Sequence, residues 1–157
     1  MNKLTHVDNQ GNPAMVDVSE KIISLRTAMA ESRVRLGQNI IDLLQGEEIY
    51  TKKGPVFQTA IIAGTQGAKR TADLVPFCHP IGLDDCKIEI KIDGIDAVVT
   101  CSTKVTAKTG IEMEAITGAS IAAITIYDMC KAMSHKIEII NIRLLEKTGG
   151  KKDIKNA

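Results

Sequence analysis

Two titratable side chains near the end of an apolar segment have the types and spacing needed for acid–base chemistry. Asp128 and Lys131 are three residues apart, so on a helix they share one face and can pair. Their sequence neighbours, among them Ile124, Ile126 and Met129, are apolar. Partial desolvation of a Lys–Asp pair shifts pKa values toward acid–base use, whereas a fully exposed pair contributes little. We therefore predict a partly desolvated proton-transfer pair here, with a solvated ion pair as the alternative.

A second group of candidate residues lies at the start of the same segment, where Glu112 and Glu114 occur. Upstream, residues 76–80 place His79 between two prolines, whose rings fix the backbone on both sides. Rigid loops hold donors and acceptors well against a ligand, although a loop histidine often does no more than complete a turn. The pattern indicates a binding site, with a structural turn as the alternative.

The spacing of these two groups along one helix has a consequence for assembly. Glu114 and Asp128 are 14 residues apart, which on a helix is a rotation of about 40° and a rise of roughly 21 Å. Glu114 and Asp128 therefore lie on the same side of the helix, but neither side chain can reach a small ligand that the other binds. If both contribute to one site, we expect a second copy of the chain to complete it by isologous packing. The apolar character of the helix also suits burial in an oligomer.

Basic residues form a third set, and their Lys and Arg donors are the candidates for phosphate contacts. None lies in a Gly-x-x-x-x-Gly-Lys-[Ser/Thr] pattern, so the sequence contains no P-loop. A solvated basic surface is the alternative. The set comprises Lys52, Lys53, Lys69, Arg70, Lys147, Lys151 and Lys152.

Length and composition restrict the class of protein. The 157 residues suit a single domain, with residues 1–14 and 149–157 expected to be flexible. Twenty Lys and Arg against 19 Asp and Glu, with two Tyr, two Phe and no Trp, disfavour nucleic-acid binding. The most apolar stretch, residues 115–127, is shorter than the roughly 20 residues of a membrane span. We therefore predict no membrane partner and no secretory signal.

The cysteines indicate a reducing compartment. Cys78, Cys86, Cys101 and Cys130 include no Cys-x-x-Cys pair, which argues against a zinc site and against thioredoxin-like chemistry. We expect them to be reduced, in the cytoplasm, with Cys86 and Cys101 facing each other across a hairpin without a disulfide.

The secondary-structure pattern predicts an α+β fold. Residues 87–92 and 97–106 read as a hairpin, 56–68 as a helix, and 137–145 as a strand. Thr109 and Glu112 match a capping box that would open a helix ending near Met133. Residues 25–36 fit either a helix or a strand. A strand gives the order β-α-β-β-α-β with an additional helix, the ferredoxin-like sandwich with an antiparallel sheet, and we favour it.

Eight short segments, in order over nearly the whole chain, match one known family. They are MVDVS (15–19), KG (53–54), AKRT (68–71), CHP (78–80), KTG (108–110), EMEA (112–115), YDMCKA (127–132) and LLEKTGG (144–150). Each is weak alone, but the set is specific. The sequence resembles the MoaC family of molybdenum cofactor biosynthesis proteins, the cyclic pyranopterin monophosphate synthases.

The resemblance implies a lyase that converts a cyclised GTP derivative, 3',8-cyclo-7,8-dihydroguanosine 5'-triphosphate, to cyclic pyranopterin monophosphate and diphosphate. It implies no metal or organic cofactor, and a hexamer built as a trimer of dimers with sites between subunits. It also implies roles for single residues: Asp128 as general acid or base with Lys53 and Lys131 as partners, substrate binding by Phe77, Cys78, His79, Glu112, Met113 and Glu114, and phosphate contacts by Arg26 and Lys69.

Two other classes of protein remain as alternatives to the enzyme. A ferredoxin-like regulatory module that binds a small ligand at a dimer interface would explain the fold, but it gives no reason for Asp128 and Lys131 among apolar residues. An RNA-binding module of the same topology lacks the aromatic residues that its sheet would need. Which lysine acts as acid is left open by the sequence.

Overall fold

Residues 6–156 are described by the structure, a computed structural model. Seven strands and four helices follow one another along this part of the chain. In order they are β1 (Ser24–Arg35), α1 (Gln38–Ile41), β2 (Tyr50–Thr51), β3 (Gly54–Pro55), α2 (Val56–Lys69), α3 (Thr71–Leu74), β4 (Asp85–Asp93), β5 (Asp96–Ala107), α4 (Glu112–Cys130), β6 (Glu138–Thr148) and β7 (Ile154–Lys155).

The main sheet is antiparallel and has the strand order β4-β5-β1-β6-β7. Because β1 lies between the later strands β5 and β6, the four long strands have the predicted ferredoxin-like topology. The strand interpretation of residues 25–36 is confirmed: Ala28, Ala30, Ser32 and Val34 are buried on one face at every second position. This period of two is what a sheet with one covered face requires.

Helices α2 and α4 cover that face and pack closely on each other. A Cβ added at Gly64 would lie 2.8 Å from the Gly118 carbonyl oxygen, and one at Gly118 would lie 2.6 Å from the Cys101 sulfur. Only glycine therefore allows this approach. The Ser32 hydroxyl donates a hydrogen bond of 2.8 Å to the Ala119 carbonyl, which fixes α4 on the strand below it.

The capping box predicted for α4 is wrong. The helix begins at Glu112 after Ile111, and no side chain caps its first turn. Glu112 is instead bound by Lys147 of β6, a contact between residues 35 positions apart. The helix ends at Cys130, three residues before the predicted end.

The remaining sequence predictions concern chain ends, cysteines and membranes. Residues 149–156, expected to be flexible, include β7, which pairs with β6. Residues 1–5 and 157 lie outside the described residues.

The four cysteines are free thiols. Cys86 lies diagonally across the β4–β5 ladder from Cys101, which opposes Ile88. Within residues 6–156, no helix is long and apolar enough to cross a membrane.

Candidate active site

Three charged side chains meet at the C-terminal end of α4. The Asp128 carboxylate lies 2.7 Å from the Lys53 ammonium through Oδ2 and 2.7 Å from the Lys131 ammonium through Oδ1. Lys53 also donates to the Asp128 carbonyl oxygen at 3.3 Å. Asp128 and Lys131 lie three residues apart at the end of the helix, as predicted, whereas Lys53 comes from a distant part of the chain.

Lys53 reaches Asp128 because it lies at the tip of the short β2–β3 hairpin. Its backbone N–H donates to the Thr51 hydroxyl at 3.1 Å. Gly54, the next residue, has φ of 112°, a left-handed conformation that favours glycine. The turn therefore depends on glycine directly after the lysine, and this explains the Lys-Gly pair.

The predicted partial desolvation of this group is wrong for the single chain. The side chains of Asp128 and Lys131 are 49% and 57% exposed. Their apolar neighbours Ile126 and Met129 are buried on the other side of the helix. Consecutive residues of a helix lie on different faces, so the apolar residues next to Asp128 in the sequence do not show that its side chain is buried.

Ion pairing nevertheless lowers the pKa of Asp128. Hydrogen bonds from Lys131 and then Lys53 lower the pKa of the Asp128 carboxyl to about 2. The same contact raises the pKa of Lys131. At neutral pH the group is a carboxylate between two ammonium ions: a proton acceptor beside two donors.

A cavity of about 410 Å³ lies at the opposite end of α4. It is bounded by the loop 75–79, by the turn that precedes α4, and by the first residues of the helix. All six residues of the predicted substrate-binding set line it: Phe77, Cys78, His79, Glu112, Met113 and Glu114.

The two glutamates of this cavity have opposite electrostatics. Burial is the largest influence on Glu112 and raises its pKa, but the hydrogen bond of 2.9 Å from Lys147, a backbone hydrogen bond and the charges of Lys147 and Arg26 together lower the pKa below its usual value. Glu114 is 3% exposed, and burial followed by repulsion from Glu112 raises its pKa. The cavity thus places a carboxyl group of lowered pKa beside one of raised pKa, and perturbed pairs of this kind are typical of functional sites.

His79 is held by the segment that precedes β1. One ring nitrogen, Nε2, lies 2.7 Å from the carbonyl oxygen of Val16, which can only accept a hydrogen bond. Lys108 fixes the same segment by donating to the Ser19 carbonyl at 2.8 Å. Nε2 therefore carries a proton, and Nδ1 is the nitrogen left to serve a ligand.

The two predicted phosphate contacts lie beside this cavity rather than in it. Arg26 lines an adjoining cavity of about 580 Å³ that shares Glu112, and its guanidinium donates to the carbonyls of Ala107 and Lys108 at 3.1 Å. Lys69 lines a third cavity of about 280 Å³ that shares Glu114.

From the sequence, Lys147 was only one of several basic residues that could contact phosphate, and it was not predicted to lie beside Glu112. It lies on β6 opposite Ala28, and from there it reaches Glu112 on α4. The strand predicted over residues 137–145 stops two residues before Lys147, and the partner of Lys147 depends on the sheet topology. The sequence offers no signal for the hydrogen bond between His79 and Val16, because the acceptor is a backbone carbonyl, a group that every residue carries.

The structure therefore brings the predicted residues together as two groups at the two ends of one 19-residue helix. Asp128 and Glu114 are separated by roughly 21 Å along its axis. Among residues 6–156, no three His, Cys, Asp or Glu side chains cluster in a way that could hold a metal ion.

Fold and site together define an α+β protein of ferredoxin-like topology with titratable groups at both ends of its central helix. The profile of the MoaC family matches residues 15–150. The chain belongs to the MoaC family.

Curated relatives are similar over nearly the whole chain. A cyclic pyranopterin monophosphate synthase of Xanthomonas oryzae pv. oryzae is 49% identical over 97% of this chain and 93% of its own length. A molybdenum cofactor biosynthesis bifunctional protein of Synechocystis sp. is 50% identical over 96% of this chain, which spans 45% of that protein. Molybdenum cofactor biosynthesis protein 1 of Dictyostelium discoideum is 45% identical, and the match covers 96% of this chain and 27% of that protein.

Proposed function

We propose that this chain is a cyclic pyranopterin monophosphate synthase of molybdenum cofactor biosynthesis. It converts 3',8-cyclo-7,8-dihydroguanosine 5'-triphosphate to cyclic pyranopterin monophosphate and releases diphosphate. Membership of the MoaC family and the relatives that carry this name over nearly the whole chain support the reaction. The observation that carries the proposal is the ion-paired cluster of Lys53, Asp128 and Lys131.

The chemistry of the reaction requires the groups that this cluster offers. Closing a cyclic phosphate joins a substrate hydroxyl to the inner phosphorus and breaks its bond to the departing diphosphate. A base must accept the hydroxyl proton, and cations must meet the negative charge that develops. Asp128, ionised at neutral pH, is the acceptor in this proposal, and Lys53 or Lys131 is the acid or the electrostatic clamp.

Substrate recognition is assigned to the cavity at the start of α4. Its glutamates and His79 offer acceptors and donors to the polar edge of a purine-derived ring, while Phe77 and Met113 offer apolar surface. Arg26 and Lys69, in the adjoining cavities, are the proposed phosphate contacts.

The active form is proposed to be a hexamer, a trimer of dimers, in which neighbouring subunits complete each site. The separation of the two groups supports this, because a ligand of nucleotide size cannot span roughly 21 Å of helix. Exposed apolar side chains beside Asp128 also support it: Ile124 and Tyr127 are 52% and 38% exposed in the single chain.

The compartment and the cofactor requirement belong to the same proposal. Four free cysteines suit the reducing cytoplasm. The reaction is proposed to proceed without a metal or organic cofactor, with charge handled by lysine and arginine.

A single assay tests the function. Purified protein is incubated with the cyclised GTP derivative, and released diphosphate is measured beside an Asp128→Asn variant. We expect diphosphate in stoichiometric amount with cyclic pyranopterin monophosphate, and none above background from the variant. Tight binding of the substrate without diphosphate from the wild-type protein would instead identify a ligand-sensing module.

A further inference from the structure

The hairpin that carries Lys53 is too short to hold its own shape. Strands β2 and β3 have two residues each, and Lys53 at the tip is exposed. So short a ladder is marginal without support from its surroundings. The position of the ammonium group therefore depends on what fixes the two ends of the hairpin.

Both ends are fixed by one carboxylate, that of Glu48. Its Oε1 accepts hydrogen bonds of 2.8 Å from the N–H groups of Ile49 and Phe57, and its Oε2 accepts one of 3.0 Å from Gln58. The Ile49 carbonyl accepts a fourth bond, of 2.9 Å, from the Val56 N–H. Residues just before the hairpin are thus joined to residues just after it.

These bonds replace the cap that α2 lacks. The residue before the helix is Pro55, which offers no side-chain acceptor, and the first turn contains no acidic residue. The first three N–H groups of α2 are satisfied instead by Ile49 and Glu48. A carboxylate at the positive end of a helix is favourable, and charge-assisted bonds of this kind are strong.

Glu48 also lies near the end of α4 that carries Asp128. Burial raises the pKa of the Cys130 thiol to about 11, and the negative charge of Glu48 adds to the rise. Cys130 is two residues beyond Asp128, in the last turn of the helix. The negative charge of the Glu48 carboxylate, at the base of the hairpin, is therefore felt at the last turn of α4.

We propose that Glu48 is a positioning residue for Lys53: by joining the base of the β2–β3 hairpin to the start of α2, it holds the Lys53 ammonium against the Asp128 carboxylate. The inference rests on the proposed function, in which Lys53 assists Asp128. Glu48 itself touches neither Lys53 nor substrate in this account.

Kinetics of Glu48→Gln, Lys53→Ala and the double variant test the proposal. Glu48→Gln keeps one acceptor oxygen and the size of the side chain. We expect its kcat to fall between about tenfold and a hundredfold, with KM changed less than about twofold, because a displaced catalytic group costs this much. In the Lys53→Ala background, Glu48→Gln is expected to change kcat by no more than about twofold.

Glu47→Gln is the matched control. Glu47 is exposed and adjacent to Glu48, and its substitution removes the same charge, but within residues 6–156 its carboxylate forms no hydrogen bond or ion pair. We expect wild-type kcat and KM. Glu48→Asp, which keeps the charge and shortens the reach, covers the case in which Glu48→Gln fails to fold, and we expect it to lose kcat in the same manner.

A second measurement is independent of activity. Lys53 contributes to the low pKa of Asp128, so carboxyl NMR titration of Asp128 reports where the ammonium lies. We expect the pKa of Asp128 to rise in Glu48→Gln as it does in Lys53→Ala, and to stay unchanged in Glu47→Gln.

The outcomes separate this inference from the proposed function. An unchanged Asp128 pKa in folded Glu48→Gln, full activity in that variant, or additive losses in the double variant would each overturn the positioning role. A wild-type protein that releases no diphosphate, with the NMR shifts as expected, would overturn the reaction and leave the positioning of Lys53 standing.

Discussion

Lys131 contributes most to the low pKa of Asp128, so its removal tests the proton-transfer cluster at the residue scale. We expect Lys131→Ala to lower kcat at least tenfold, about 1.4 kcal/mol of barrier, and to raise the pKa of Asp128. Steady-state kinetics and carboxyl titration give the two readings. Lys136→Ala removes another exposed lysine nearby and serves as control. Turnover by Lys131→Ala within tenfold of the wild type would remove Lys131 from the chemistry.

Glu114 offers a pH-dependent prediction, because burial raises its pKa in the folded state. A carboxyl with a raised folded pKa contributes full stability below its unfolded pKa and loses it as pH rises through the folded value. Glu114→Gln cannot ionise, so we expect a higher free energy of unfolding than the wild type at about pH 8 and little difference at about pH 4. Urea unfolding at both pH values measures it. Equal effects at both would contradict the burial argument.

The grouping of the candidate residues in space was predicted more successfully than their environments, and their roles remain predictions. The six residues assigned to substrate binding line one cavity, and Asp128 pairs with Lys131 at the predicted spacing. The exposure of Asp128 was predicted wrongly, because helical neighbours point to other faces. Lys147 was missed as the partner of Glu112, since that contact depends on where β6 lies in the sheet.

At the scale of elements, the close approach of α2 and α4 sets the frame that separates the two groups. Gly64→Ala would place a Cβ 2.8 Å from the backbone oxygen of Gly118, which cannot move aside like a flexible side chain. We expect a loss of about 1–3 kcal/mol in the free energy of unfolding. Gly82→Ala meets nothing within 4 Å and is the control. Urea unfolding of Gly64→Ala at wild-type stability would contradict this packing.

Elements with strong periodicity were the ones predicted well. Alternation predicted β4, and a high content of Val and Thr predicted β5. Residues 25–36 fitted a helix or a strand, and the strand was favoured because it completed the four-strand topology. The start of α4 was missed because Glu112 pairs across the fold with Lys147 and not with its own helix. The β2–β3 hairpin was missed because two-residue strands carry no periodic signal; its ends are fixed by Glu48, a contact made across the hairpin.

At the scale of the whole molecule, the proposed function requires two chains to complete one site. Along a single α4, the group at Glu114 and the group at Asp128 are too far apart for one small substrate. In the proposed assembly, isologous packing would join the start of one helix to the end of its neighbour in two equivalent places. In that arrangement the exposed Ile124 and Tyr127 would have a partner surface, and Asp128 would gain the desolvation that it lacks in the single chain.

Subunit complementation measures this directly. Asp128→Ala and Glu114→Gln chains carrying different affinity tags are co-expressed, and mixed oligomers are isolated on both tags and assayed for diphosphate release. Each variant alone is expected to be inactive. Random mixing is expected to restore about a quarter of wild-type activity, because about one site in four combines an intact Glu114 from one chain with an intact Asp128 from its neighbour. Mixed oligomers with no more activity than either parent would contradict a site shared between chains.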